Sequence, residues 1–190
     1  EISACLVGSE MCIRDRFLDG ARLGYGLAAP DNDLTLPEIA ALCDVFYIGG
    51  TKVGALFGEA VVIKNPELAQ DFRYLIKQNG GMLAKGRLLG LQFDALFTDG
   101  LYQVISAHAI AMAEKLREAF TAKGYTYLAP NRTNQIFVIV PDAHLAKISE
   151  QFEYSYDQRI DATHSCVRFC TGWATREENV DALIRCVEKL

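Results

Sequence analysis

The stretch DVFYIGGTK, at residues 44–52, decides more of the fold than any other part of the sequence. Its first five residues form a short apolar run bounded by polar residues and glycine, a pattern typical of a buried strand. The two glycines that follow predict a tight turn, which carries Lys52. A second stretch, FLDGARL at residues 17–23, likewise begins as the end of a buried strand and runs into a turn at Asp19. We therefore expect two strand ends, each followed by polar side chains.

Periodic patterns further along the chain predict an α/β protein in two parts. Thr35 and Glu38 form a capping box, which predicts a helix that ends near Cys43. The predicted elements after it are a strand at residues 59–64, helical sequence at 66–99 with a break at Gly80-Gly81, a long helix at 101–123 and a final β-α-β-α segment. The long helix is expected to separate the end of one α/β domain from a compact second one.

Composition and charge exclude several classes of protein. Hydrophobic residues make up 51% of the 190 residues and charged residues 23%, which is a globular composition able to bury a sizeable core. No run of about 18 apolar residues occurs, so the sequence predicts no membrane span. The formal net charge is −5 and the basic residues are not clustered, which disfavours nucleic acid and anionic membranes as partners.

The six cysteines are too sparse to form a disulfide framework in a chain of this length. We interpret Cys43 and Cys186, which lie in apolar helical patterns, as reduced, buried thiols of a cytoplasmic protein. His164, Cys166 and Cys170 could contribute to a zinc site, but no fourth ligand has the spacing of a known site. The sequence therefore predicts no metal.

The N-terminal residues differ in character from the rest. Residues 6–16 read LVGSEMCIRDR, which resembles the translation of a sequencing adapter and has little helical or strand period. We therefore expect residues 1–16 to be a non-native segment, with residues 1–5 of unknown origin. The protein's own sequence is expected to begin near Phe17.

Two residues at the strand ends are candidates for chemistry. An apolar stretch follows Lys52, so we expect its amine to be partly desolvated, which lowers the pKa of an amine and makes it a nucleophile toward carbonyls. A turn lysine that points to water is the alternative. Asp19 lies at the carboxyl end of a strand, where α/β sheets place ligands, although an aspartate that caps a helix or a turn would give the same pattern.

Arg168 is a third candidate because it occupies the middle of an apolar strand, between Val167 and Phe169. A buried guanidinium needs an anionic partner, and none lies nearby in the sequence. A substrate carboxylate could fill that role in the bidentate geometry that arginine favours, and so could an acidic residue elsewhere in the chain. Because strand side chains alternate, we predict that Arg168 shares a face with Cys166 and Cys170 and points toward the active-site cleft.

Two motifs, LDGARL at residues 18–23 and YIGGTK at residues 47–52, together resemble the threonine aldolase and β-eliminating lyase family. The resemblance extends over nearly all of residues 17–190. It implies an incomplete pyridoxal-phosphate-dependent transferase fold, that of aspartate aminotransferase (fold type I). Residues 17–98 would be the C-terminal part of the cofactor-binding large domain. Residues 99–190 would be the small C-terminal domain, with a long connecting helix.

The resemblance also implies a role for each candidate residue. Lys52 would bind pyridoxal 5′-phosphate covalently, and Asp19 would pair with the pyridine nitrogen. Arg22 and Arg168 would bind the carboxylate of a small-molecule amino acid substrate. The implied reaction cleaves the Cα–Cβ bond of a β-hydroxy amino acid, giving glycine and an aldehyde, in a cytoplasmic homodimer or homotetramer. An aminotransferase of the same fold and a non-catalytic α/β interaction domain remain alternatives.

The sequence departs from the family pattern in one respect. The family's glycine-rich phosphate cup and the histidine that stacks on the cofactor ring lie upstream of the LDGARL motif. The adapter-like segment stands at that place, and none of His108, His144 and His164 matches the stacking position. We therefore expect the chain to be the C-terminal half of an enzyme and to be inactive alone.

Overall fold

The computed structural model describes residues 15–190, so the sequence predictions that concern residues 1–14 lie outside the described residues. The chain divides into two compact units. The first comprises the residues up to Leu27 together with Asp31–Ile105, and the second comprises Ala28–Pro30 together with Ser106–Leu190. The division therefore falls inside the long helix. None of the helices in residues 15–190 is long and apolar enough to cross a membrane.

The described part of the first unit contains a three-stranded sheet and several helices. The elements of this unit are β1 (Phe17–Leu18), α1 (Leu23–Leu27), α2 (Leu36–Leu42), β2 (Val45–Gly49), β3 (Glu59–Ile63), α3 (Phe72–Gln78), α4 (Arg87–Phe97), a 3₁₀ turn (Thr98–Gly100) and the start of α5 (Leu101–Ala122). The strand order in the sheet is β1-β2-β3, and β2 pairs in parallel with β1 and antiparallel with β3.

The central strand β2 follows the sequence prediction, since Phe46 and Ile48 are buried. The prediction of a buried strand end at residues 17–18 is wrong for Phe17, which is 63% exposed. Strand β1 has a described partner on one side only, so the sheet leaves Phe17 uncovered there. The backbone of Arg16, within the adapter-like segment, accepts hydrogen bonds from Asp44 (3.0 Å) and Val45 (3.2 Å), a pairing that any residue can make.

The helix predicted at Thr35 is confirmed as α2, and Glu38 caps it. The Glu38 carboxylate accepts hydrogen bonds from the backbone N–H of Thr35 at 2.7 Å and from its hydroxyl at 2.6 Å. These bonds satisfy donors that a helix start otherwise leaves unpaired. The helical sequence predicted at 66–99 is wrong for residues 66–71, which form turns. Helices α3 and α4 follow, separated by residues 79–86, which include the predicted break at Gly80-Gly81.

The second unit is a four-stranded antiparallel sheet with helices packed on one face. The elements of this unit are the rest of α5, β4 (Thr126–Tyr127), β5 (Gln135–Pro141), α6 (Asp142–Ile148), β6 (Ser155–Arg159), β7 (His164–Cys170) and α7 (Glu177–Glu188). The strand order in the sheet is β4-β5-β7-β6. The core draws apolar side chains from α5, α6 and α7 and from one face of β5 and β7.

Strand β6 was not predicted from the sequence. Its five residues, SYDQR, are all exposed, because β6 lies at the edge of the sheet and carries no apolar side that a periodic pattern could reveal. Helix α7 begins after Arg176. In the turn that precedes it, the Thr175 hydroxyl accepts a hydrogen bond from the N–H of Gly172 at 2.8 Å.

Candidate active site at two parallel strand ends

Strands β1 and β2 are parallel, so their carboxyl ends meet at the same edge of the sheet. Phe17 pairs with Val45 and Leu18 with Phe46. Continuing this register by one residue places Asp19 opposite Tyr47. The segments that carry Asp19 and Lys52 both leave the sheet at this edge, where α/β folds place their ligands.

Glycines in the two motifs bring their backbones into close contact. A Cβ atom on Gly20 would lie 1.6 Å from the carbonyl oxygen of Tyr47, and one on Gly49 would lie 2.4 Å from the carbonyl oxygen of Ala21. The N–H of Gly49 donates to the carbonyl of Gly20 at 2.9 Å. These two glycines therefore hold the Asp19 turn directly against the strand that leads to Lys52.

Asp19 accepts two hydrogen bonds on the same oxygen, Oδ1. The donors are the hydroxyl of Tyr47 and the N–H of Ala21, the latter at 3.0 Å. The Tyr47 hydrogen bond is the main cause that lowers the pKa of Asp19, followed by the Ala21 bond and by the charges of Lys52 and Arg22. Asp19 is thus kept ionised, with Lys52 and Arg22 close enough to act on it electrostatically. The hydrogen bond from the N–H of Ala21 is also the contact expected of an aspartate that caps a turn, which is the alternative interpretation of Asp19.

Lys52 lies in the turn after β2, and its side chain is exposed. The expectation of a partly desolvated amine is therefore wrong for the described residues. The reason is that Val53, 0% exposed, takes the inward position of the turn, while the apolar Leu56 is 85% exposed. The turn itself is fixed, because Val53 and Ala55 donate to the carbonyl of Gly50 at 2.9 and 3.0 Å.

Two further residues hold the backbone of the Lys52 turn. The hydroxyl of Tyr25 donates to the carbonyl of Lys52 at 2.5 Å. The carboxylate of Glu59, on the adjacent strand β3, accepts a hydrogen bond from the N–H of Gly50 at 2.6 Å. These bonds fix the backbone on both sides of Thr51 and leave the Lys52 side chain free to reach outward.

Tyr102 is a residue of the site that sequence analysis missed. It is 1% exposed, accepts a hydrogen bond from the N–H of Gly24 and donates to the carbonyl of Gly49, each at 3.0 Å. Burial raises the pKa of its hydroxyl to about 12. Tyr102 thereby ties the start of α1 to the end of β2. The sequence shows it only as one more large residue at the start of a long helix, so no local signal marks it.

We predict that Tyr102→Phe destabilises the protein. Removal of the hydroxyl leaves the N–H of Gly24 and the carbonyl of Gly49 buried without a partner, which costs about 3 kcal/mol in total. Urea unfolding at neutral pH measures the change. Tyr156→Phe is a matched control, since Tyr156 is 61% exposed and should change little. Equal stability of the two variants would contradict the bridging role.

The raised pKa of Tyr102 predicts that the protein loses stability in alkali. Its pKa rises from 10.0 to about 12 on folding, so its contribution is complete below pH 10 and is lost as the pH rises toward 12. Between these values the free energy of unfolding should fall more steeply in the unaltered protein than in Tyr102→Phe. Unfolding curves for both proteins at pH 9 to 12 test this, and parallel pH profiles would contradict it.

Arg22 lies in the turn between Asp19 and helix α1 and is half-buried. Its charge is among the causes that lower the pKa of Asp19, so Arg22 acts on that carboxylate electrostatically. The structure thus brings Asp19, Arg22 and Lys52 together at one edge of the first sheet.

Arg168 belongs to the second unit, in the central strand β7. The predicted alternation is present: Val167 and Phe169 pack into the core, and Arg168 lies on the opposite face. Its guanidinium is half-buried rather than buried and lies 6.0 Å from the ring centre of Phe137. Its hydrogen bonds are long, at 3.4 Å to Oε1 of Gln135 and 3.5 Å to Oγ of Ser155.

No carboxylate among residues 15–190 forms a salt bridge with Arg168, and its Nε atom is buried without a partner. The intramolecular ion pair that sequence analysis left open is therefore not found in this part of the chain. Arg168 also lines a cavity of about 390 Å³ within the second unit, next to Ser155 and Cys170. The guanidinium thus lines this cavity and has no carboxylate partner within the described part of the chain.

The three histidines lie in the second unit and make contacts there. His108 bonds to the carbonyl of Thr175 at 2.8 Å, His144 to the hydroxyl of Tyr125 at 2.7 Å, and His164 to Asp161 at 3.1 Å. Within residues 15–190, no group of three or more His, Cys, Asp or Glu side chains is arranged to hold a metal ion. Four free cysteines occur in the same range, of which Cys43 and Cys166 are buried.

Comparison with known proteins extends the resemblance that the motifs indicate. No protein-family model matches the chain. The low specificity L-threonine aldolase of Pseudomonas sp. (strain NCIMB 10558) is 30% identical over 170 residues, which are 87% of this chain and 47% of that protein. The threonine aldolase structure from Leishmania major has a TM-score of 0.93 and 38% identity, over 97% of this chain and 54% of that one.

A putative L-allo-threonine aldolase from Listeria monocytogenes has a TM-score of 0.74 at 21% identity, over 100% of this chain and 55% of that chain, a likeness that shows the fold alone. The chain spans about half the length of the relatives it matches. Its fold is the α/β fold of pyridoxal-phosphate-dependent enzymes of fold type I, over about half of their chains. The resemblance found in the sequence is confirmed: over most of its length the chain is similar to threonine aldolases, of which it spans about half.

Proposed function

We propose that the protein is a pyridoxal-phosphate-dependent lyase, which cleaves the Cα–Cβ bond of a β-hydroxy amino acid such as threonine to give glycine and an aldehyde. The observation that carries this proposal is the ionised carboxylate of Asp19 beside the exposed amine of Lys52, at the ends of two parallel strands. Similarity to threonine aldolases supports the choice of reaction.

The chemistry of these two residues fits the cofactor. A carboxylate whose pKa is held low can pair with a protonated pyridine nitrogen, and hydrogen bonds from Tyr47 and Ala21 keep Asp19 in that state. Lys52 is a primary amine that can bond to the aldehyde carbon of the cofactor. When bound, pyridoxal phosphate supplies an electron sink for the electron pair left on Cα.

Arg22 and Arg168 are proposed to bind the substrate carboxylate. Arg22 lies beside Asp19, and Arg168 offers a guanidinium with no carboxylate partner among the described residues. A carboxylate bound by a guanidinium group fixes the orientation of the Cα substituents. The bond held perpendicular to the cofactor ring is the one that breaks, so this orientation selects Cα–Cβ cleavage.

We also propose a domain division, an oligomeric state and a cellular location for the protein. Residues 17–98 would be the C-terminal part of a cofactor-binding large domain, and residues 99–190 a small domain with its connecting helix. The full-length protein would be a homodimer or a homotetramer. We place it in the cytoplasm, where buried thiols such as Cys43 and Cys166 remain reduced.

The direct test is the reaction itself. The full-length protein, supplied with pyridoxal phosphate, is incubated with L-threonine and L-allo-threonine, and glycine and acetaldehyde are measured. We expect both products in equal amounts from at least one substrate. If glycine does not form while an amino group is transferred to an added oxo acid, the aldolase assignment is wrong and the aminotransferase alternative is correct.

We predict that Arg168→Ala raises KM for the amino acid and leaves cofactor affinity nearly unchanged. Loss of one charge-assisted contact to a carboxylate costs about 1.5–3 kcal/mol, so KM should rise roughly tenfold to a hundredfold. Steady-state kinetics of the full-length protein measure this. Arg185→Ala is the matched control, since Arg185 is an exposed residue of α7. An unchanged KM for Arg168→Ala would remove this residue from the carboxylate site.

We also predict that the 190-residue polypeptide alone binds pyridoxal phosphate weakly and forms no glycine from threonine. By family resemblance, the phosphate cup and the ring-stacking histidine precede Asp19 in sequence. Lys52 can still react with an aldehyde, but the family's phosphate cup, which supplies backbone N–H donors, would lie outside residues 17–190. The assay compares this polypeptide with a full-length threonine aldolase. Comparable turnover would show that the site is complete within the 190 residues.

A further inference from the structure

We propose that Tyr47 is a positioning residue, whose hydroxyl fixes one oxygen of Asp19 so that the other oxygen is presented to the cofactor ring nitrogen. The inference rests on the proposed function and assigns a specific part in it to Tyr47. It would explain how an exposed carboxylate can keep a defined orientation.

The two oxygens of Asp19 differ in their contacts. Oδ1 accepts hydrogen bonds both from the hydroxyl of Tyr47 and from the N–H of Ala21. Oδ2 has no hydrogen-bond partner among residues 15–190. Two donors on Oδ1, one from the adjacent strand and one from the local turn, fix the carboxylate plane. Oδ2 can then accept a hydrogen bond from a protonated group of a ligand.

The position of Tyr47 is itself well fixed. It lies in β2, between the buried residues Phe46 and Ile48, and its ring centre is 6.1 Å from that of Phe17. Its carbonyl contacts Gly20 so closely that no side chain fits at that glycine. A donor mounted on this strand can therefore hold Asp19 with little loss of side-chain freedom on ligand binding.

The charges around this pair favour the same arrangement. Lys52 and Arg22 lower the pKa of Asp19 and keep it an acceptor. The hydrogen bond to Asp19, with a smaller effect of Glu59 on β3, raises the pKa of Tyr47 and keeps it a donor. A phenol that donates to a carboxylate forms a charge-assisted hydrogen bond, which is stronger than one between neutral groups.

The first experiment uses the cofactor-free full-length protein with ¹³C-labelled aspartate. Tyr47→Phe removes the hydroxyl and keeps the ring. We expect the NMR titration midpoint of the Asp19 carboxyl to move to higher pH in this variant. Tyr74→Phe, at a position 75% exposed on helix α3, is the control and should leave the midpoint unchanged. An unchanged midpoint in Tyr47→Phe would overturn the proposal.

The second experiment asks whether Tyr47 acts through Asp19. Dissociation constants for pyridoxal phosphate are measured for the unaltered protein, Tyr47→Phe, Asp19→Asn and the double variant. We expect Tyr47→Phe alone to weaken binding roughly tenfold and to have no further effect in the Asp19→Asn background. Equal weakening in both backgrounds would contradict a positioning role.

The two proposals fail in distinguishable ways. If the unaltered protein does not bind pyridoxal phosphate, the proposed function is wrong, and the role of Tyr47 toward the cofactor falls with it. If the unaltered protein and Tyr47→Phe bind the cofactor equally well, only the inference about Tyr47 is wrong.

Discussion

Lys52→Ala is expected to abolish the covalent complex with pyridoxal phosphate and to reduce threonine cleavage to the uncatalysed background. Lys52 supplies the only amine within the YIGGTK motif, and its exposed side chain extends from a turn that is fixed by Tyr25 and Glu59. Alanine removes the amine without changing the backbone bonds of the turn. The variant should therefore fold normally and lose only the chemistry.

Absorbance of the bound cofactor and glycine release from threonine measure this loss in the full-length protein. Lys64→Ala is the matched control, because Lys64 follows β3, is exposed, and takes part in the sheet only through its backbone N–H, which bonds to the carbonyl of Asp44. It should retain full activity. A Lys52→Ala protein that still turns over threonine would exclude Lys52 as the cofactor-binding residue.

Gly20→Ala is expected to destabilise the protein by about 4 kcal/mol or more, and it could prevent folding altogether. The added Cβ atom would lie 1.6 Å from the carbonyl oxygen of Tyr47, so the turn or the strand must move apart. Such a movement breaks the hydrogen bond between Gly49 and Gly20 and separates Asp19 from Lys52. We therefore expect loss of cofactor binding together with the loss of stability.

Gly90→Ala provides the control for this substitution. Gly90 lies within helix α4, and a Cβ atom there has no neighbour within 4 Å. Alanine is favoured over glycine in a helix by about 1 kcal/mol, so this variant should be as stable as the parent or slightly more so. Thermal unfolding of both variants tests the contrast. A stable Gly20→Ala protein would show that the two motifs do not need this close contact.

Strand β2 and the start of helix α2 could be predicted because local sequence determines them. The apolar run before Lys52 indicated β2, and the Thr35–Glu38 pair marked the start of α2. The glycines of the two motifs could be interpreted as turn signals, but the sequence did not indicate that Gly20 and Gly49 form close backbone contacts. That Gly20 packs against Tyr47 depends on the parallel pairing of β1 with β2, which brings together residues far apart in sequence.

Other features depend on tertiary packing and gave no local signal. Tyr102 acts through contacts with Gly24 and Gly49, which are distant from it in sequence. The burial of Lys52 was overestimated because an apolar stretch shows only that some neighbours face inward, and here Val53 does so while Leu56 does not. Composition alone cannot divide such a stretch between core and surface.

Arg168 shows a case in which strand periodicity was sufficient for orientation. The alternation of β7 correctly placed Val167 and Phe169 in the core and the guanidinium on the other face. Its lack of a carboxylate partner among the described residues could not be predicted, because that depends on all strands and loops around it.

Lys52 is the residue that we propose binds pyridoxal phosphate. The most direct measurement is borohydride reduction of the full-length protein after incubation with the cofactor, followed by peptide mapping. We predict one stoichiometric pyridoxyl label on Lys52, and none when Lys52 is replaced by alanine. A label distributed over several exposed lysines, or located on another single lysine, would contradict the account.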